Sequence, residues 1–188
     1  MRTRDLDKQQ RIKNAMIALI LKEGINGASV AKIAKVAGVS PATIYVYYEN
    51  KEEMLSEVFG EYVRKSYTYI TDNVVNQMSG EQFIETLIRR TYAFALENQE
   101  IFSFVEQCSA CPTLQESVSH DDYCKGVFSL IHDYQNRGVI KKYSDPNLAA
   151  VLFAPVKFMA RNRSSHMDAE TQLNELIAMM QDLLLKLA

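Results

Sequence analysis

Residues 29–51, SVAKIAKVAGVSPATIYVYYENK, read as two short helices joined by a tight turn. Two helices so joined are the shape that fits a DNA major groove. Val30, Ile33, Ala34 and Ala37 recur at i, i+3, i+4 and i+7, which makes one apolar helical face, and Ser29 stands where an N-cap belongs. Gly38 follows the last periodic residue and can adopt the left-handed conformation that closes a helix without a Cβ penalty. Ser40 and Pro41 restart the chain: serine caps exposed amides, and proline suits the first helical position, where its missing N–H would be unpaired anyway. The turn is therefore about three residues long, within the range of such motifs.

Working outward, a first helix is expected from about Leu6 to Lys22, with Ile12, Ala15, Met16, Leu19 and Ile20 on one face and Gly24 and Gly27 beyond its end. Three helices are the least that give a helix-turn-helix its own core, so residues 1–50 are expected to form one domain. The charge distribution agrees. Residues 1–51 carry nine Lys/Arg against four Asp/Glu, a net +5, whereas the remainder carries twelve against nineteen, a net −7. A basic head on an acidic body is expected where only the head meets a polyanion, since phosphate neutralisation supplies most sequence-independent affinity for DNA.

Beyond residue 50 the apolar residues keep helical spacing, and glycine and proline are few, at seven and four. Asn50 and Glu53 fit a capping box that opens a long helix through Met54, Leu55, Val58, Phe59 and Tyr62 to about Met78. Further helices are expected over 81–97, 101–110 (stopped by Pro112), 114–136 (closed by Gly138), 145–161 (Asp145 as cap, Pro146 at the first position) and 168–187. The last places Leu173, Leu176, Ile177, Met180, Leu183, Leu184 and Leu187 on one stripe. The expected fold is all-α: an N-terminal three-helix helix-turn-helix DNA-binding domain over 1–50, then a six-helix domain over 51–188. The final two helices are the expected homodimer interface, as in four-helix contacts between subunits.

No run of about 18 apolar residues exists, and the N-terminal MRTRDLDKQQR lacks the apolar centre of a signal peptide, so the chain is expected in the cytoplasm with no membrane partner. Three cysteines, an odd number, argue for reduced thiols. His120, His132 and His166 have no serine or cysteine partner in a recognisable motif, and no glycine loop cradles phosphate, so an enzyme is not expected, nor a cofactor.

The spacing A-x-x-A-G-V-S-x-x-x-[IL]-Y-x-x-[FY]-x-x-K, present at Ala34 to Lys51, resembles the tetracycline repressor (TetR) family of bacterial transcription regulators. The resemblance covers roughly residues 8–58. It implies double-stranded DNA operators as partners and a C-terminal six-helix ligand-binding and dimerisation domain, over 51–188 here, that holds a small-molecule pocket and dimerises through its last two helices. By position it implies DNA contacts from Ser40, Pro41, Ala42 and Thr43 at the start of the recognition helix, from Tyr45 and Tyr47 to sugar-phosphate and base edges, from Lys51 to phosphate, and from Ser29, which also caps its helix. Ile44 and Tyr48 correspond to core positions, with tyrosine at 48 where phenylalanine is more usual. No long polar side chain reaches forward from 40 to 43, so specificity per half-site is expected to be modest and to draw on dimer spacing and DNA shape.

In the body, Tyr92, Phe94, Phe102, Phe104, Tyr123, Phe128, Phe153, Phe158 and Met159 mark the region where an apolar or amphipathic effector is expected, because ligand sites are mostly apolar with a few polar anchors. Arg89 and Arg90 are candidate anchors for an anion, or plain solvated surface. Cys108, Cys111, His120 and Cys124 form C-x2-C-x8-H-x3-C, spacing that fits a metal site or a thiol switch and equally fits buried small hydrophobes. A metal- or thiol-responsive regulator, and a DNA-organising protein controlled by a protein partner, therefore stand as alternatives to a regulator released by a small molecule.

Overall fold

The computed structural model describes residues 2–72, 74, 77–117, 126–162 and 168–186. Ten helices form among the described residues: α1 (Arg2–Gly27), α2 (Val30–Ala37), α3 (Pro41–Ile44), α4 (Lys51–Thr71), α5 (Gly80–Glu97), α6 (Gln99–Ser109), α7 (Pro112–Ser117), α8 (Val127–Asn136), α9 (Asp145–Arg161) and α10 (Ala169–Leu184). No strand occurs among them, only an isolated antiparallel bridge between Ile140 and Leu185. The chain divides into two compact units, Met1–Arg64 with Gln99–Tyr123 and Lys65–Asn98 with Cys124–Ala188.

In the first unit the inward face of α1 is the expected one: Ile12, Ala15, Met16, Leu19 and Ile20 are all buried. The regular helix breaks at Gly24, whose φ is 77° and ψ 169°. Helix α2 packs on α1 and α3 on α2, and the start of α4 adds Met54, Leu55, Val58, Phe59 and Tyr62 to the interior. Helix α6 also packs on α1, burying Phe104 and Cys108, and Phe104 meets Tyr62 edge to face at 6.1 Å. Lys13 is buried and pairs with Glu61, which ties α1 to α4 by charge as well as by apolar contact.

The second unit is built from α5, α8, α9 and α10 around a core that includes Phe83, Leu87, Phe128, Leu152, Val156 and Ile177. Phe83 and Tyr134 stack with ring centroids 4.0 Å apart, and the Tyr134 hydroxyl, reaching out of the apolar core, donates to the Met78 carbonyl at 2.9 Å. Gly80, at the first position of α5, sits where a Cβ would come within 2.5 Å of Leu185 Cδ2 and 2.6 Å of Val139 Cγ1. Any larger residue there must displace the Leu185 and Val139 side chains.

Several boundaries differ from those read from sequence. Helix α4 ends at Thr71 rather than near Met78: the Thr71 hydroxyl donates back to the Tyr67 carbonyl at 2.9 Å, and the polar Asp72 that follows is a poor helix former. Asn50 caps α4 by accepting from the Glu53 amide at 2.8 Å, but Glu53 reaches back to the amide of Glu49 instead of Asn50. Pro112 opens α7 as well as ending what precedes it, as proline at a first turn can. Of the helix expected over 114–136, both ends are helical in α7 and α8, and 118–125 lie outside the described residues. Ser144, not Asp145, stands at the N-cap position of α9, without a side-chain cap hydrogen bond, and the Asp145 carboxylate lies 2.7 Å from His132 Nε2. In the final helix Leu173, Leu176, Ile177, Met180 and Leu184 are buried, Leu183 is exposed, and Leu187 lies outside the described residues.

Candidate nucleic-acid interface

The helix-turn-helix is held by the caps its sequence specifies. The Ser29 hydroxyl accepts from the Lys32 amide at 3.3 Å. Gly38, with φ 66° and ψ 39°, takes the left-handed position, so that the Val39 amide reaches the Ala34 carbonyl at 3.0 Å. Ser40 Oγ accepts from the Thr43 amide at 3.2 Å and lies 2.9 Å from Thr43 Oγ1. Arg11 on α1 braces this turn by donating to the Ala37 carbonyl at 3.0 Å.

The recognition element is shorter as an α-helix than its sequence implies. Helix α3 covers Pro41–Ile44, and a tightened turn continues it, with Val46 and Tyr47 amides donating to the Thr43 and Ile44 carbonyls at 3.3 and 3.0 Å. That turn keeps helical facing. Ile44 and Tyr48, four apart, are both buried, whereas Ser40, Pro41, Ala42 and Tyr45 are exposed and Thr43 and Tyr47 half-buried. Tyr45 is 56% exposed, so it is not a core aromatic. The Tyr48 hydroxyl is buried without a well-formed hydrogen bond, and burial pushes its pKa up to about 12, opposed by the Gln9 side chain.

Two of the expected phosphate-facing side chains already have protein partners. Lys51 Nζ donates to the Ile25 carbonyl at 2.7 Å, which leaves two of its three donors for other acceptors. The Tyr47 hydroxyl donates to Asp5, and that hydrogen bond to a carboxylate raises the Tyr47 pKa. Lys32, on α2, bridges Glu23 at 2.6 Å and the Gly27 carbonyl at 3.0 Å, and the same ammonium holds the Glu23 carboxyl below its ordinary range. Reading the sequence alone missed Asp5 as the partner of Tyr47 and missed Val46, which is 78% exposed. Helical phase relative to Ile44 and Tyr48 was the available signal for Val46, since it falls on the opposite side.

The residues expected around an effector do not share one unit. Phe102 and Phe104 belong to the first, Tyr92, Phe94, Phe128 and Phe158 to the second, and Tyr123 lies outside the described residues. Phe104, Phe94 and Phe128 are buried; Phe94 packs on Tyr69 at 5.3 Å, and Phe128 meets Phe153 edge to face at 6.4 Å. Tyr92 and Phe102 are half-buried and Phe158 is 68% exposed. A groove of about 410 Å³ opens beside the start of α5, lined by Gln77, Met78, Gln82, Glu85 and Thr86. Both arginines are engaged within the fold. Arg89 bonds Glu85, Glu170 and Asn174, and the Arg90 guanidinium donates to the Tyr69 carbonyl and lies 4.2 Å from that ring's centroid.

Cys108 is buried, and desolvation pushes its thiol up to about 12, aided by the neighbouring Cys111, which is half-buried. His120 and Cys124 lie outside the described residues. Among the described residues no helix is long and apolar enough to cross a membrane.

Residues 12–58, the stretch with this geometry, match the model of a protein family described as bacterial regulatory proteins, tetR family. The chain is 27% identical to an uncharacterized HTH-type transcriptional regulator of Haemophilus influenzae, over 77% of each chain. It is 24% identical to the fatty acid metabolism regulator protein of Bacillus subtilis, over 76% of this chain and 75% of that one. Its fold is similar to the crystal structure of a TetR family transcription regulator from Marinobacter aquaeolei, with a TM-score of 0.84, 24% identity and complete coverage of both chains. Residues 12–58 thus match the helix-turn-helix of the tetR family of bacterial regulatory proteins, and the chain as a whole shares the fold of a TetR family transcription regulator.

Proposed function

We propose that the chain is a homodimeric repressor that leaves its operator when a small apolar or amphipathic molecule binds the second unit. The observation that carries the DNA half is the outward face of the recognition element, where Ser40, Pro41, Ala42 and Tyr45 stand exposed while Ile44 and Tyr48 anchor it from behind. Ser29, Thr43 and Lys51 flank that face and supply hydroxyl and ammonium donors to phosphates, and Tyr47 joins them when its hydroxyl turns from Asp5 to the DNA backbone. Phosphate contacts fix register and carry little sequence information, so this set positions the domain on a duplex.

Residues 1–50 act as the DNA-binding domain and 51–188 as the effector and dimerisation domain in this reading. Helix α4 runs unbroken from Lys51 to Thr71, with residues up to Arg64 in the first unit and the rest in the second, so it joins the two covalently. An effector that prefers the arrangement with the wrong head spacing lowers operator affinity by its differential binding, typically ~5–150-fold. The name of the Bacillus subtilis relative, a fatty acid metabolism regulator protein, favours a fatty acid or derivative as that effector. The dimer is supported by apolar side chains left outward on the last two helices: Ala150, Ala154 and Phe158 at successive i+4 steps on α9, and Met179 (62% exposed) and Leu183 on α10. Such a pair of faces closes a four-helix contact about a two-fold axis.

The test is to select a duplex from a randomised library with the full chain, then titrate the complex with palmitate. Binding of one dimer per duplex, with release at fatty acid concentrations that also raise the melting temperature, is the expected result. Operator affinity indifferent to every molecule that binds the second unit would remove the effector mechanism, and a monomer in sedimentation at micromolar concentration would remove the dimer.

A further inference from the structure

Val46 is the most exposed large apolar side chain among the described residues, at 78%. It follows the exposed Ala42 by four positions, so the two lie on one side of the recognition element, opposite the buried pair Ile44 and Tyr48. Its place is fixed: its amide donates to the Thr43 carbonyl at 3.3 Å, and a β-branched side chain has few rotamers. Packing within the chain gives no reason for an apolar group there.

The chemistry of the groove supplies one. From Ser40 to Tyr48 the chain contains no Arg, Lys, Asn, Gln, Asp or Glu, so no bidentate pairing with a base edge is available from this stretch. The one apolar feature that base pairs present in the major groove is the C5 methyl of thymine. We propose that Val46 determines operator sequence by packing against a thymine methyl in each half-site. This rests on the reading that residues 29–51 face DNA, and it adds a base-reading role to residues that otherwise hold the backbone.

The experiment uses the duplex that the full chain selects from a randomised library, resynthesised with each thymine in turn replaced by deoxyuridine. That change removes the methyl and leaves base pairing intact. For the wild-type chain one thymine per half-site is expected to be sensitive, with affinity falling roughly fourfold for each half-site replaced, as the loss of one buried methyl implies. Val46→Ala, with an unchanged melting temperature because the site is exposed, is expected to bind the thymine and deoxyuridine duplexes alike. A flat deoxyuridine series for the wild type, full retention of the sensitivity in Val46→Ala, or a library that yields no sequence preference would each overturn the inference. Tyr47→Ala and Lys51→Ala on the same duplex separate the two levels: if they bind as tightly as wild type, the DNA-facing reading itself falls. If they lose binding while the deoxyuridine series is flat, the role of Val46 alone falls.

Discussion

The segment 29–51 and the second unit are both helical, yet they are organised over different distances along the chain. In the segment, the caps and the buried face are set within five residues: Ser29 with Lys32, Ser40 with Thr43, Gly38 with Lys35 and Ala34, Ile44 with Tyr48. In the second unit the deciding contacts lie 56 to 105 residues apart: Tyr134 on Met78, Arg89 on Glu170, and Gly80 against Leu185. A local motif can carry a function that is recognisable from its letters, whereas a core assembled from distant helices can be filled by many sequences of similar volume.

The same contrast orders the expected effects of mutation. The largest belongs to the second unit: Phe83→Ala empties the stack on Tyr134 and is expected to lower stability by about 3–5 kcal/mol, read from urea denaturation, with the isolated helix content of 29–51 unaffected. Loss of less than 1 kcal/mol would mean that the core tolerates the hole and is looser than the stacking implies. In the first unit Gly38→Ala puts a Cβ at φ 66° and is expected to cost about 1–2 kcal/mol, with weaker operator binding because the turn aims the recognition element.

Alkaline stability sharpens the comparison through two groups of the first unit. Cys108 moves from 9.0 to about 12, and Tyr48 from 10.0 to about 12, both chiefly through burial. The folded chain therefore holds protons that the unfolded chain releases, so their contribution is intact below about pH 9 and is lost as pH rises toward 12. Melting temperatures should fall across that window. In native protein near pH 8, iodoacetamide should modify Cys111 well before Cys108, and mass mapping showing the reverse order would contradict the burial. The smallest effect is that of Tyr48→Phe, which removes a buried hydroxyl lacking a well-formed partner and should leave stability unchanged or raise it by up to ~1 kcal/mol.

Much of the fold was legible because amphipathic spacing and caps are local. The inward face of α1, the three-residue turn, the Gly38 closure and the buried pair Ile44 and Tyr48 all follow from spacing that sequence displays. Boundaries failed where a side chain had another partner: Asp145 meets His132 while Ser144 stands at the cap position, and Thr71 turns its hydroxyl back on α4. Neither the packing of α6 on α1 nor the contact of Phe104 with Tyr62 of α4 could be read, because nothing local to α6 names its distant neighbours. Between 40 and 48, spacing marked Ile44 and Tyr48 as buried, but Val46 was missed as outward; nor did spacing show that Asp5 would engage Tyr47 or that Lys51 would rest on the Ile25 carbonyl. Both are meetings of residues 26 or more positions apart.

Salt dependence of operator binding tests most directly whether 29–51 is the surface that meets DNA. Binding of the selected duplex should be measured from about 50 to 200 mM salt for wild type and Lys51→Ala, with melting temperatures recorded alongside. The account predicts weaker binding across all duplex sequences and a slope of log affinity against log salt shallower by about one per Lys51 lost, hence about two per dimer. An unchanged slope and affinity in a folded Lys51→Ala chain would contradict it.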